Sequence, residues 1–301
     1  MSSSPRLDFP YGVVPPDYRL PAGSRVGIVR LLVSDLRRSV DYYEQVVGFR
    51  VLDRADRRVV LGPENENRPL LELHTGPNVR PLAGRRGFLG LYHFAILLPT
   101  RADLGRFLRH LSLLGVRAGM SDHLVSEAIY LHDPDNLGIE VYSDRPRSAW
   151  RWQGAELEMA TDPLDVADLL QAGGSEPWTG LPPGTVIGHV HLHVGDLEAA
   201  SAFYHAGLGF DRMVWSYPGA LFLSAGGYHH HLGTNTWAGA APSPGPLDAR
   251  LLEWEIVVPS ALDVTEAIDH LEQSGQRVAH DPAGGGAVGI DPWGTTVRVR
   301  V

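Results

Sequence analysis

An α+β fold of four βαβββ modules is predicted for this 301-residue chain by three features of its sequence. The two halves align with each other. Each half holds two units that begin alike. Each unit opens with an alternating strand and continues into a helix-length amphipathic segment closed by Gly. VGIVRLLVSDLRRSVDYYEQVVGF, from Val26, lies over IGHVHLHVGDLEAASAFYHAGLGF, from Ile187, with Asp35 on Asp196, Tyr43 on Tyr204 and Gly48 on Gly209. LYHFAILLPTRADLGRFLRHLSLLG, from Leu91, lies over LLEWEIVVPSALDVTEAIDHLEQSG, from Leu251, with Pro99 on Pro259. DPDNLGIEV from Asp133 ends one half as DPWGTTVRV from Asp291 ends the other.

The elements follow in order. Asp35 stands where a helix N-cap is wanted, ahead of LRRSVDYYEQVV, and Asp196 plays the same part ahead of LEAASAFYHAGL. Further strands are expected at 68–74 (RPLLELH) and 220–224 (ALFLS). The Asp-Pro segments read as turns into the closing strands. The predicted divisions are 1–145 for the first half, 146–184 for a Pro-, Trp- and Gly-punctuated connector packed across both halves, and 185–301 for the second half. AGGGAVG, after Pro282, lacks the Lys-Ser/Thr and the strand-to-helix setting of a phosphate loop.

Composition narrows the function. With 44% hydrophobic and 20% charged residues the chain can bury cores and is not disordered. A formal net charge of −9, with no dense Lys/Arg run, argues against a nucleic-acid partner. The chain has no Cys, so disulfides, thiolate metal sites and Cys nucleophiles are excluded and any metal must use His and carboxylate. MSSSPRLDFPYGVVPP has no signal-peptide core, and no run of about 18 apolar residues occurs, so a soluble cytoplasmic protein with no membrane partner is expected.

The strand IGHVHLHVGDL, at 187–197, places His189, His191 and His193 on one face and Val190, Leu192 and Val194 on the other. A solvent-facing strand accounts for this at little cost. The alternative is a polar cavity lined by imidazoles, at least one of them a metal ligand, above an apolar face packed under a helix.

The βαβββ units, IGHVHLHVGDL with FYHAGLGF behind it, the ending DPDNLGIEVY and the run GGYHHHLGTNTW resemble the vicinal oxygen chelate superfamily, which spans glyoxalases, bleomycin resistance proteins and extradiol dioxygenases. The likeness is to its catechol 2,3-dioxygenase-like two-domain members and covers about Val26 to Val299. It implies that modules pair into two cup-shaped, barrel-like domains, with ligands drawn from the first and last strands of each unit. In the second half those positions are His189, His231 (with HHLGTN laid over LELHTG), Glu253 and Arg298. In the first half they are Ile28, Glu72, His93 and Glu140, with Tyr130 also at an extradiol-type position. Ile28 cannot bind a metal, so the second half is preferred, with His189, His231 and Glu253 as ligands.

Two imidazoles and a carboxylate with open positions suit Fe(II), or Mn(II), binding substrate beside dioxygen. The resemblance then implies an Fe(II)-dependent extradiol ring-cleaving dioxygenase whose partners are a small aromatic diol and O2, in a homo-oligomer. His229, His191 and His280 are the proton-shuttle candidates, on the expectation that His229 and His231 share a strand face from which His230 is turned away. Trp215, Tyr217 and Trp237 are candidates for the ring pocket, and Arg298 for an acidic substrate group. A glyoxalase-type isomerase or lyase using Zn or Ni, and a non-catalytic ligand-binding protein, are the alternatives.

Overall fold

The computed structural model describes residues 11–82, 87–280 and 286–301. Most of the polar N-terminal stretch (1–10), residues 83–86 and the start of the Gly-rich run (281–285) lie outside the described residues. Module one comprises β1 (Arg25–Leu32), α1 (Leu36–Tyr42), β2 (Arg50–Ala55), β3 (Arg58–Gly62) and β4 (Leu71–His74). Module two comprises β5 (Gly90–Leu97), α2 (Arg101–Leu114), β6 (Gly119–Asp122), β7 (Ser126–His132) and β8 (Gly138–Asp144). The connector carries β9 (Trp152–Gln153), β10 (Glu156–Leu157) and α3 (Val166–Ala172). Module three comprises β11 (Val186–His193), α4 (Leu197–Ala200), β12 (Asp211–Val214), β13 (Ala220–Ser224) and β14 (Leu232–Asn235). Module four comprises β15 (Arg250–Val257), α5 (Ala261–Gln273), β16 (Arg277–His280), β17 (Ala287–Ile290) and β18 (Thr296–Arg300).

Local chemistry starts and stops the helices. Asp35 accepts from the Arg38 N–H at 3.0 Å and Asp196 from the Ala199 N–H at 2.7 Å, satisfying donors with no partner inside the helix. Thr100 and Asp103 form a reciprocal capping box on α2, whose buried stripe of Leu104, Phe107, Leu108 and Leu111 follows the helical period. Gly48 and Gly209 close the first helices of modules one and three at φ of 94° and 92°, a region costly for other residues. Before that Gly, each helix widens into a π-helical turn that buries a tyrosine. Tyr43 donates to Asp133 at 3.1 Å and Tyr204 to Asp291 at 3.0 Å. The Asp-Pro turns therefore have a second role, anchoring the helix of the preceding module.

The two eight-stranded sheets do not follow the halves of the sequence. One has the order β12-β13-β14-β11-β5-β8-β7-β6 and joins modules two and three. The other, β16-β17-β18-β15-β1-β4-β3-β2, joins modules one and four. The expected grouping of modules inside 1–145 and 185–301 thus fails for the strands and holds for helix and turn contacts such as the Tyr-to-Asp anchors, Ser34 to Asp135 and His270 to the Gly207 carbonyl. Val190 and Leu192 of β11, Phe94 and Ile96 of β5 and Trp254 of β15 belong to one continuous buried cluster, each large side chain contributing about 1.5–3 kcal/mol by leaving water. The connector helix packs on α2, where a Cβ on Gly105 would lie 2.3 Å from the Leu169 carbonyl oxygen. Among the described residues, no helix is long and apolar enough to cross a membrane.

In the sheet of modules one and four, the concave face is occupied by its own ion pairs. Arg30 reaches Glu253 at 2.7 Å, Glu255 at 2.7 Å and Glu72 at 3.3 Å, and Arg298 holds Glu253 at 2.8 Å. Arg30→Met is expected to leave Glu253 to Arg298, Glu255 to Arg300 and Glu72 to His74, and to lower unfolding free energy by about 1–3 kcal/mol. Urea titrations check this; an unchanged midpoint at pH 7 would rule out a stabilising role for Arg30.

Candidate metal centre

β8, β5 and β11 are neighbours at the middle of one sheet, with β8 parallel to β5 and β11 antiparallel to it. Ala95 pairs with both Glu140 and His189, and His93 pairs with His191; this register brings His93, Glu140 and His189, all from first or last strands of their modules, to one face. His189 Nε2 lies 3.1 Å and His93 Nε2 2.9 Å from the same oxygen, Glu140 Oε2. The ligand atoms of these three residues all fall within 4.8 Å of one another. All three side chains are buried, and His93 Nε2, close to that oxygen but not aligned with it, has no hydrogen-bond partner.

The electrostatics suit a cation site. Burial lowers the pKa of His189 to about 4 in spite of the pull of Glu140. Burial would raise Glu140, but His189 and His93 hold its carboxyl well below the usual range. Burial also keeps His191 and His230 well below the ordinary imidazole value. At neutral pH the centre holds a carboxylate beside a neutral His189, the protonation state that metal ligands require.

Other groups complete a cavity of about 510 Å³, in the range of ligand pockets. The His230 ring packs at a tilt of 47° against His189, with ring centroids 4.0 Å apart. The Tyr130 hydroxyl meets His123 Nε2 at 2.5 Å, and burial and then Glu140 push its pKa well above 10, so it remains a donor. Tyr92 packs edge-on to His191 at 5.2 Å. Met120, Met159, Phe222, Tyr217 and Trp237 form the apolar wall, tied to the connector by Thr161 and Tyr217 at 2.7 Å.

The fourth position of this cup is Gly233, not His231. Leu232 pairs with Val190 as Leu71 pairs with Val29, so Gly233 is the counterpart of Glu72. A Cβ there would lie 2.8 Å from the His191 ring, which fills the space a fourth ligand would take.

Of the expected ligands only His189 lies in the three-residue group. His231 points elsewhere; its Nδ1 accepts from the Ala225 N–H at 3.2 Å. Glu253 stands in the other sheet, bonded to Arg30 and Arg298, so Arg298 also lies away from the cavity. His191 lines the cavity, but His229 sits behind its wall against Asp144, and His280, 69% exposed at its side chain, meets Glu272 at 2.7 Å. Tyr217 and Trp237 line the cavity, whereas Trp215 lies outside it with 38% exposure. The face expectation for 229–231 fails because β14 begins only at Leu232, and strand alternation does not apply to the bends before it. His230 is accordingly the one of the three that lines the cavity.

Comparison with known proteins agrees with this architecture. The family model for the Glyoxalase/Bleomycin resistance protein/Dioxygenase superfamily matches residues 25–141 and 186–299. A Bacillus subtilis (strain 168) protein named catechol-2,3-dioxygenase is 48% identical over 238 residues, 78% of this chain and 82% of its own length. Glyoxalase I from Zea mays shares the fold with a TM-score of 0.53 at 19% identity over 92% of each chain. The cppA protein from Streptococcus pneumoniae TIGR4 shares it with a TM-score of 0.51 at 11% identity, over 92% of this chain and 99% of that one. With its repeated modules matched in both halves, the chain belongs to the Glyoxalase/Bleomycin resistance protein/Dioxygenase superfamily.

Proposed function

We propose that the chain is an extradiol-type ring-cleaving dioxygenase of a catechol-like aromatic, with Fe(II) held by His93, Glu140 and His189. The observation that carries this reading is the donor set itself. Two imidazoles and one carboxylate, with a glycine at the fourth position, make a two-His, one-carboxylate site with open positions, suited to Fe(II) or Mn(II). The buried His93 Nε2 without a hydrogen-bond partner fits a cation: an unmet polar atom is costly inside a protein, and a metal would satisfy it. The 48% identity to a protein named catechol-2,3-dioxygenase supports the same reaction class.

Bound there, the metal supplies Lewis acidity to a chelated diol and a place for dioxygen beside it. The chain supplies the rest. His230, neutral and with Nε2 lacking a hydrogen-bond partner, takes a phenolic proton and later returns it. The Tyr130 hydroxyl gives its proton to His123 Nε2, whose ring donates from Nδ1 to the Ala160 carbonyl, and so closes one side of the cavity. Tyr92, Trp237 and Phe222 orient the ring, and with the two methionines they favour an apolar substituent on it.

Protein loaded anaerobically with Fe(II) is expected to consume one dioxygen per catechol and to form a yellow ring-opened product containing both oxygen atoms. An oxygen electrode and absorbance spectra read the two together. Absence of oxygen uptake with every catechol, alongside isomerisation of a hemithioacetal under Zn or Ni, would replace this reading with the glyoxalase-type one.

A further inference from the structure

We propose that His229 and Asp144 are positioning residues that set the tautomer of His230 and leave its Nε2 without a proton. This rests on the reading of His230 as the base. Three hydrogen bonds define the relay. Asp144 Oδ1 lies 2.9 Å from His229 Nε2 and 3.2 Å from the Tyr228 hydroxyl, and His229 Nδ1 lies 2.7 Å from His230 Nδ1. The Tyr142 hydroxyl, 2.7 Å from that of Tyr228, extends the relay to β8 beside Glu140.

Donor and acceptor capacity then orders the protons. An ionised Asp144 only accepts, so His229 Nε2 and the Tyr228 hydroxyl are donors to it, and Tyr142 donates to Tyr228. With its one proton on Nε2 towards Asp144, the His229 ring presents a lone pair at Nδ1. The short contact between the two Nδ1 atoms needs one proton, and it resides on His230. The neutral His230 ring is left bare at Nε2, the buried atom that has no partner in the protein and belongs to a ring lining the cavity. The opposite order would place an unmet N–H there, the costlier defect and no base at all. The bend before β14 makes the contact feasible, because adjacent side chains of a regular strand point to opposite faces.

The test uses full-length protein loaded with Zn(II) for spectroscopy and Fe(II) for turnover. Long-range nitrogen-proton correlation spectra, with His230 assigned by its loss in His230→Gln, are expected to show the proton on Nδ1. In His229→Phe, which keeps a ring but offers no acceptor, the proton moves to Nε2. Turnover in that variant falls about 100-fold with KM changed less than about threefold and full metal content, since a wrong tautomer removes most of a base's benefit. His229→Gln, whose amide oxygen accepts from Nδ1, regains about tenfold of that loss. If His229→Phe does not fold, Asp144→Asn carries the same spectroscopic comparison. A wild-type spectrum with Nε2 protonated overturns the proposal, as does full turnover in metal-loaded His229→Phe. If the spectra show Nδ1–H but no catechol is cleaved, the positioning relay stands and the dioxygenase reading falls.

Discussion

Substituting Ala for His93, Glu140 or His189 is expected to remove stoichiometric metal and abolish oxygen uptake, whereas His231→Ala and Glu253→Ala keep a full equivalent of metal. The three residues converge on a single point, with no other such group among the described residues. Losing a ligand leaves two donors, and affinity falls by more than the roughly 10–100-fold seen when a residue merely supporting a ligand is lost. Glu140→Ala is the most damaging, because it removes the charge that makes a divalent cation favourable among neutral rings. Glu253→Ala frees Arg30 and Arg298 and costs stability in the other sheet, which separates folding from metal binding. Elemental analysis after dialysis reads the metal, and thermal melts read the fold. Metal lost from His231→Ala but retained by His93→Ala would restore the second-half site.

The repeat, the modules and the first-strand and last-strand ligand positions were legible in the sequence, including His93 and Glu140 among the candidates. Two things were not, for definite reasons. The pairing of modules was hidden because both groupings bury the same Val, Leu and Phe faces; periodicity says which face is inward, not which module lies beside it. A charge argument does separate them. Pairing two with three collects His93, Glu140 and His189, while the remaining set holds Glu72 and Glu253, acids that Arg30 can neutralise from the same strand face. The second miss was the register of β14. Laying His231 on Glu72 slips the strand by two residues, and a slip of two preserves which face each residue occupies, so alternation raises no objection. Only the strand pairing reveals Gly233 at that position, together with the His191 ring above it.

His230→Gln is expected to lower kcat by roughly 10²–10⁴ with metal content and KM little changed, the loss typical of a missing general base. The choice of this ring over its neighbours follows from where their lone pairs are committed. His191 Nε2 accepts from the Asn235 amide at 2.9 Å, an orientation fixed because Asn235 Oδ1 accepts from the Trp237 N–H at 3.0 Å. His93 and His189 direct Nε2 at Glu140. Tyr130 is held as a donor by its raised pKa. Two buried imidazole nitrogens of the described residues remain without a partner away from Glu140, His189 Nδ1 and His230 Nε2, and the His189 ring is already committed through its other nitrogen. Because the His230 ring also packs against His189, Gln is the better substitution: it keeps bulk and polarity there while removing the imidazole's proton affinity. His280→Ala, exposed and paired with Glu272, serves as the control and leaves kcat within about twofold, as remote surface changes do. Steady-state kinetics with parallel metal analysis decide the matter: normal turnover in His230→Gln, with a collapse in His191→Gln, would move the proton transfer to the other side of the cup.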